Sequence, residues 1–481
     1  MKKFRLISIL LALMLLASCG GEGTATGDTT PSDTTANSES GGGTDELAAP
    51  ELPDKDYGGY EFKILNKIEG WGIYNNEHLV VEEENGEVLN DAIYGRNRLV
   101  EEQFNVVITE VITKNTVMND VATAVMAGDD SYDLAVIYSA PTAYATDYLV
   151  DFNMLDYVNL DRPWWDQNYR TAISVNGKLT TAVNSTMITH MDSVLAMLYN
   201  QRLAEEFKVP DLYQIVRDGK WTLAKWAEVS KNVTIDLNGD GVYNDNDQYA
   251  FVGLDGIGRL GSGIQLGAMG KDKNDLPVLN IDDPKLVEKI SKLRDFAVTY
   301  EREIYDPRKD SNTGGDGDRA VFRMFLNSQT LFYAHGLGAV QQFRDMKDDF
   351  GVLPTPKLDE AQESYFISPD LTKCLGIPAT ASDTERTAII LEAMAYEGYT
   401  YLRPRYYDSM LQSKYLRDEE SIEMMDEYIY TNIGFGPSSG GSTLDKTLNT
   451  AKNGDGEIAS TLAANKSAIE EELAKYIALF E

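Results

Sequence analysis

Tyr132-Asp133-Leu134-Ala135-Val136-Ile137-Tyr138 reads as a buried β-strand, an apolar run too short for a helix. Working back from it, Val117, Val121, Ala124 and Val125 recur at helical spacing, and Gly128 ends that helix. Val106 to Val111 is a β-branched strand. Ile93, Val100 and Phe104 fall on one face of a preceding helix, for which Asn90 is the expected cap. Earlier still, from near Tyr57, the residues Tyr60, Phe62 and Ile64 alternate with Glu61 and Lys63, a strand pattern. Strands alternating with helices predict parallel pairing through right-handed crossovers, hence an α/β fold.

Length and charge narrow the class. Of 481 residues, roughly 430 lie beyond the N-terminal low-complexity stretch, more than one typical core holds, so two lobes are expected. The chain carries 43 Lys and Arg against 77 Asp and Glu, a net charge of −34. Such a balance argues against tracking nucleic acid or an anionic bilayer by electrostatics. There are two cysteines. Cys374 sits among Leu371, Leu375 and Ile377 and is expected to be a buried, inert thiol, with no disulfide framework.

The N terminus carries an address. Lys2, Lys3 and Arg5 precede an apolar run from Leu6 to Leu16, closed by Leu16-Ala17-Ser18-Cys19. Residues 1–18 read as a secretory signal, and the run falls short of the ~20 residues a spanning helix needs. Leu-Ala-Ser-Cys resembles the lipobox of bacterial lipoproteins, which implies that Cys19 is lipidated and heads the mature chain. Residues 19–52, rich in Gly, Ser and Thr, are expected to form a disordered tether with a reach of about 30 Å. The expected location is the extracytoplasmic face of the bacterial cell membrane, by a lipid anchor.

Several stretches occur in a familiar order: Glu-Glu-Gln-Phe-Asn-Val-Val-Ile-Thr at 101–109, Ala127-Gly128-Asp129, Tyr132–Val136 and Leu149-Val150-Asp151-Phe152. Leu198-Tyr199-Asn200-Gln201-Arg202-Leu203, Trp221-Thr222-Leu223 with Trp226, Phe350–Pro356 and Ile377-Pro378-Ala379 before an apolar helix at Thr387–Leu402 follow. Over residues 57 to 481 the chain resembles the extracellular solute-binding proteins of ABC importers, in particular the maltose and oligosaccharide-binding group. The resemblance implies a two-lobed periplasmic-binding-protein-like fold with hinge-connected lobes. It places the first part of lobe 1 at 53–185, lobe 2 at 186–368, a return to lobe 1 at 369–410, and a C-terminal part, mainly lobe 2, at 411–481. Crossings are expected near Ala182–His190, Ser368–Gly376 and Arg403–Tyr415. Ile458, Leu462, Ile469, Leu473, Ile477 and Phe480 predict a terminal helix.

Candidate ligand contacts follow from aromatic chemistry. Sugar rings stack on aromatic faces, and ligands gather at the carboxyl ends of strands in such sheets. Trp71 and Tyr74 follow the first strand and Tyr138 ends the third, which makes them candidates. Trp165, after Pro163 and Trp164, is either a lobe-surface anchor or a ligand platform; Trp221 and Trp226 lie on a predicted helix and are expected in the core. The resemblance adds Asp192 near an inter-lobe crossing, where a carboxylate binds sugar hydroxyls, and His335. At His335-Gly336-Leu337-Gly338 the family has Asn-Gly-Pro-Trp, so the aromatic platform expected there is missing.

Asp236-Leu-Asn238-Gly-Asp240-Gly241-Val242-Tyr-Asn244-Asp-Asn-Asp247 sets oxygen ligands at positions 1, 3, 5, 9 and 12, Gly at 6 and a main-chain carbonyl at 7. Calcium needs such a set of hard oxygens around a sharp turn. Position 12 is Asp rather than Glu, which resembles dockerin loops more than calcium sensors, and a structural calcium clip is expected.

Enzyme chemistry finds no motif. His78, His190 and His335 have no ligand-like spacing, and there is no His-Glu-x-x-His, Gly-x-Ser-x-Gly or phosphate-cradling Gly-x-x-x-x-Gly-Lys-Ser. The resemblance therefore implies a monomeric, non-enzymatic receptor that hands a small solute, a carbohydrate or oligosaccharide, to ABC permease subunits, with no nucleic-acid partner. A surface glycan hydrolase or a passive glycan-binding lipoprotein is the alternative.

Overall fold

Two sheets organise the molecule. In chain order the strands are β1 (Tyr60–Asn66), β2 (Val106–Ile112), β3 (Leu134–Tyr138), β4 (Leu195–Asn200), β5 (Tyr249–Val252), β6 (Met269–Lys271), β7 (Pro277–Leu279), β8 (Ile304–Tyr305), β9 (Thr330–Gly336), β10 (Phe350–Leu353) and β11 (Lys373–Gly376). The computed structural model describes residues 48–68, 77–138, 147–309, 317–343, 345–369, 372–412, 418–438 and 440–481. The signal, Cys19 and most of the tether fall outside the described residues, as do Trp71 and Tyr74. Residues 49–481 make one compact unit. No helix among the described residues is long and apolar enough to cross a membrane.

The first sheet has the order β11-β3-β1-β2. β1 runs parallel to β2, with Tyr60 opposite Val106, and parallel to β3, with Ile64 opposite Leu134. The alternation in β1 works as read: Phe62 and Ile64 are fully buried while Glu61 is exposed. The helix Val117–Ala127 ends on Gly128, whose φ of 67° is the left-handed geometry that glycine adopts at little cost. One expectation is corrected here. The preceding helix starts at Val88, and Asn90 lies inside it, its amide donating to the Glu83 carbonyl at 2.8 Å instead of capping the first turn.

β11 closes this sheet antiparallel to β3, with Lys373 opposite Tyr138. The following helix, Thr384–Glu397, buries Ile389, Ile390, Leu391 and Met394. It continues as a π-helical turn at Gly398–Leu402, where a Cβ on Gly398 would stand 1.9 Å from the Ser185 carbonyl oxygen. Only glycine permits that approach between the helix and the first crossing segment. Cys374 is buried in β11, and burial pushes its thiol up to about 11, so it stays protonated and inert.

The second sheet has the order β10-β4-β9-β5-β8. β4 is antiparallel to β9 and β10, whereas β5 is parallel to β9 and β8. Trp221 and Trp226 are fully buried against Phe332, as expected of core residues; Trp226 lies on the helix Leu223–Val229, whereas Trp221, expected on that helix, precedes its Thr222 cap. The terminal helix Ile458–Ala478 and the helix Thr443–Asn453 bury Leu462, Ile469, Leu444 and Ala451 with Leu286 and Ile290. The chain passes between the sheets where Ala182 pairs with Leu375 and where Val194 pairs with Pro369.

Candidate functional site

A cavity of about 1060 Å³ opens at the carboxyl end of β5. After Val252 the chain turns through Asp255 (φ 68°) and Gly256 (φ 42°) into the short helix Ile257–Leu260, which brings Asp255 and Arg259 to the cavity wall. Facing them are Phe366 and Pro369 from the second crossing, Phe435 from a turn between helices, and Asp445 and Lys452 from the helix Thr443–Asn453. Lys289 closes another side.

The aromatic walls are held by packing. Phe366 and Phe435 are both partly exposed. The Phe366 ring lies against Gly434, and Phe435 meets Tyr169 edge-on, with centroids 5.1 Å apart at 85°. The charges are held individually. Asp255 forms an ion pair with Arg308, which also reaches Asp306 Oδ1 at 3.4 Å. The Lys289 ammonium donates to the carbonyl oxygen of Gln265 at 2.5 Å. Burial lowers the pKa of Lys452 and raises that of Asp445. Aromatic edges beside fixed polar groups are the furnishing of a site that orients a small, hydroxyl-rich ligand.

Of the residues singled out from sequence, those among the described residues do not line this cavity. Tyr138 ends β3 and is 36 % exposed, on the first sheet. Asp192 ends the one-turn helix Thr189–Asp192 at the first crossing and packs on Gly338, two residues past β9, so the structure brings Asp192 and the His335–Gly338 segment together. The Asp192 carboxyl is pushed well above the usual carboxylate range by burial and by the nearby charge of Glu77. Its Oδ1 finds no hydrogen-bond partner among the described residues. Glu77 in turn accepts the backbone N–H groups of Ile188 at 2.7 Å and Thr189 at 3.0 Å, tying the segment after β1 to the crossing. His335 stands opposite Ala196 in the β4–β9 ladder, its ring stacked on Tyr333 at 5.7 Å.

Trp165 requires correction. It is 2 % exposed, and its indole N–H donates to Glu392 Oε2 at 2.9 Å, while the Trp164 indole donates to Oε1 at 2.9 Å. The pair brackets one buried carboxylate inside the first lobe, so Trp165 is a core residue and not a ligand platform. Trp-Trp after proline on a polar stretch looks exposed in sequence; the distant Glu392 that satisfies both indoles is invisible there.

Phe366, Phe435, Arg259, Lys289 and Lys452 escaped the sequence reading. A signal did exist for one of them: Gly434-Phe435-Gly436-Pro437 sets an aromatic in a turn whose neighbours cannot form helix or strand. The basic residues sit on three separate segments, and only the fold brings them together.

The loop at 236–247 is closed at its base by a two-way backbone pairing of Ile235 with Gln248, at 2.9 and 3.0 Å. Asp236 accepts N–H bonds from Gly239 and Gly241 at 2.7 Å each, both glycines at positive φ, and these bonds lower its pKa. Asp240 accepts from Val242, and the fully buried Asp247 accepts from Leu237 and Asn244. The donors fit calcium in kind, all being oxygens around a glycine turn. Among the described residues, no three of His, Cys, Asp and Glu converge as a ready cage.

No family model matches the chain, and no curated protein does. Solved structures do. An ABC substrate-binding protein from Listeria monocytogenes in complex with cycloalternan aligns with a TM-score of 0.53 and 14% identity, over 86% of this chain and 99% of that one. The maltose/maltodextrin-binding domain of MalE from Bdellovibrio bacteriovorus, bound to maltotriose, aligns at 0.52 and 12% identity over 86% and 100%. An ABC transporter solute-binding protein from Thermotoga lettingae, bound with α-D-tagatose, aligns at 0.52 and 12% over 86% and 100%. Across nearly all of their length and most of its own, this chain shares the two-lobed α/β fold of ABC solute-binding proteins.

Proposed function

We propose that the protein is a lipid-anchored extracellular solute-binding protein that captures a carbohydrate and delivers it to an ABC importer. The observation that carries the reading is the cavity at the end of β5, where Phe366 and Phe435 stand beside fixed polar groups in this fold. The likeness to structures bound to cycloalternan, maltotriose and α-D-tagatose supports the ligand class. The signal at residues 1–18 and Cys19 in its lipobox context support export and anchoring, and the tether leaves the folded body beside its permease. The lobes close on the ligand by hinge motion at the crossings, and the permease distinguishes the closed, loaded form from the empty one. The receptor acts as a monomer and performs no chemistry on its cargo. Calcium sits in the 236–247 loop as a structural clip, held by Asp236, Asn238, Asp240, Val242, Asn244 and Asp247.

A thermal-shift screen followed by titration calorimetry tests this reading against monosaccharides, oligosaccharides and peptides. A sugar is expected to raise the melting temperature and bind with one-to-one stoichiometry. Stabilisation by peptides with none by any sugar overturns the carbohydrate assignment.

A further inference from the structure

Building on the carbohydrate reading, we infer that the cargo is an anionic carbohydrate, an oligosaccharide bearing carboxylates on its rings, and not a neutral sugar. The chain as a whole has nearly two acids for every base, 77 against 43. The cavity inverts that ratio. Among the described residues its walls carry Arg259, Lys289, Arg308 and Lys452 against Asp255 and Asp445.

Pairing sharpens the inversion. Asp255 and Asp306 are engaged with Arg308, so that guanidinium holds acids belonging to the protein. Lys289 is positioned by the Gln265 and Leu266 carbonyls, which fix the ammonium without cancelling its charge. Lys452 makes no ion pair or hydrogen bond with the described residues, and the acids whose charge it feels are Asp255 and Asp445. Burial disfavours its charged form against the pull of those two acids, so the ammonium is short of solvation. Asp445, on the same helix, has its pKa raised by burial, and the charge of Lys452 opposes that shift. An excess of cations over acids in a low-dielectric recess is costly unless a ligand brings the opposite charge. Neutral sugars bring none.

Three features favour ring carboxylates over a single phosphate. The cations stand on separate segments of the wall, the cavity of about 1060 Å³ has room for several rings, and Phe366 and Phe435 are part of its lining. The acidic exterior repels an anion only weakly at distance, because physiological salt screens charges beyond about 8 Å. Within the cavity the local cations dominate.

The test is calorimetry on the full-length protein with trisaccharides of galacturonic, glucuronic, mannuronic and guluronic acid, each beside the neutral trisaccharide of the same hexose. At least one acidic trisaccharide is expected to bind roughly tenfold or more tightly than its neutral counterpart, the gain of one or two charge-assisted hydrogen bonds. Raising salt from about 50 to about 500 mM should weaken that binding. Lys452→Met should cost the acidic ligand about tenfold in affinity without lowering the melting temperature, with Arg259→Gln as the second variant. Equal or tighter binding of neutral trisaccharides, or unchanged acidic affinity in both variants, overturns the inference and leaves the carbohydrate reading standing. Binding of no sugar of either kind overturns both.

Discussion

Gly434 lies against the Phe366 ring: a Cβ at position 434 would stand 2.0 Å from Phe366 Cε2. The absent side chain therefore sets where one aromatic wall of the cavity stands. Gly434→Ala must push the ring aside, since the Gly434 backbone is fixed by its N–H bond to the Ile367 carbonyl at 2.9 Å. A misplaced stacking face is expected to cost about 1 kcal/mol in ligand binding, about fivefold in Kd, measured by calorimetry with the best sugar from the screen. An affinity equal to wild type would remove Phe366 from the site.

Glu392, buried between the indoles of Trp164 and Trp165, makes stability depend on pH. Burial raises its carboxyl from the ordinary 4.5 to about 7, with the two indole donors opposing the shift. A raised acid favours the protonated folded state, so stability falls as pH climbs from about 4.5 to about 7 and levels off above. The contribution is on the order of 3 kcal/mol. In Glu392→Gln the melting temperature should lose part of that slope. The amide still accepts from one indole but leaves the other unpaired, a loss of roughly 1–3 kcal/mol at low pH. A variant whose pH slope matches wild type would refute the assignment.

Trp165→Phe separates packing from binding. The ring survives, but Glu392 Oε2 loses its donor, and a destabilisation of roughly 1–3 kcal/mol is expected in denaturant titrations. Sugar affinity should stay at the wild-type value, because this side chain faces the core.

Asp192 offers a trade between stability and function. Its carboxyl is buried, lacks a partner for Oδ1 among the described residues and feels Glu77, all of which raise its pKa. Stability should therefore fall as pH rises through its folded titration, and Asp192→Asn should melt higher than wild type at pH 8 while matching it near pH 4. If the carboxylate also reads sugar hydroxyls, affinity falls in the same variant. Equal melting curves at pH 8 would contradict the buried-charge account.

Calcium binding at 236–247 predicts a melting temperature that rises with added calcium and falls with chelator, and an Asp236→Ala variant that responds to neither. An unchanged wild-type melting curve in chelator would remove the ion from the structure.

Much of the fold was readable because period and burial agree. β1, β2 and the helix Val117–Ala127 appear within a residue or two of where alternation and spacing put them. Asn90 misled because a good capping residue also serves inside a helix when its amide reaches a carbonyl, here that of Glu83. The site was far less legible. Lys289, Phe366 and Lys452 belong to segments far apart in the chain, and nothing local distinguishes them from surface lysines or a core phenylalanine. Aromatic content pointed to Trp165, whose partner Glu392 lies 227 positions away. Only Phe435, between glycines and before a proline, had a local mark.

The place of β11 beside β3 has a consequence in time. Residues 60–138 are synthesised early, yet the sheet they form lacks its last strand until residue 376 and its covering helix until residue 397 have emerged. Between these pieces the ribosome must deliver the whole of the second sheet. Closing so long a loop is slow, and contacts of such separation form late in folding. A nascent chain built in this order keeps its first lobe unfinished until near the end of translation, the loosely structured condition in which a polypeptide can still be threaded through a membrane.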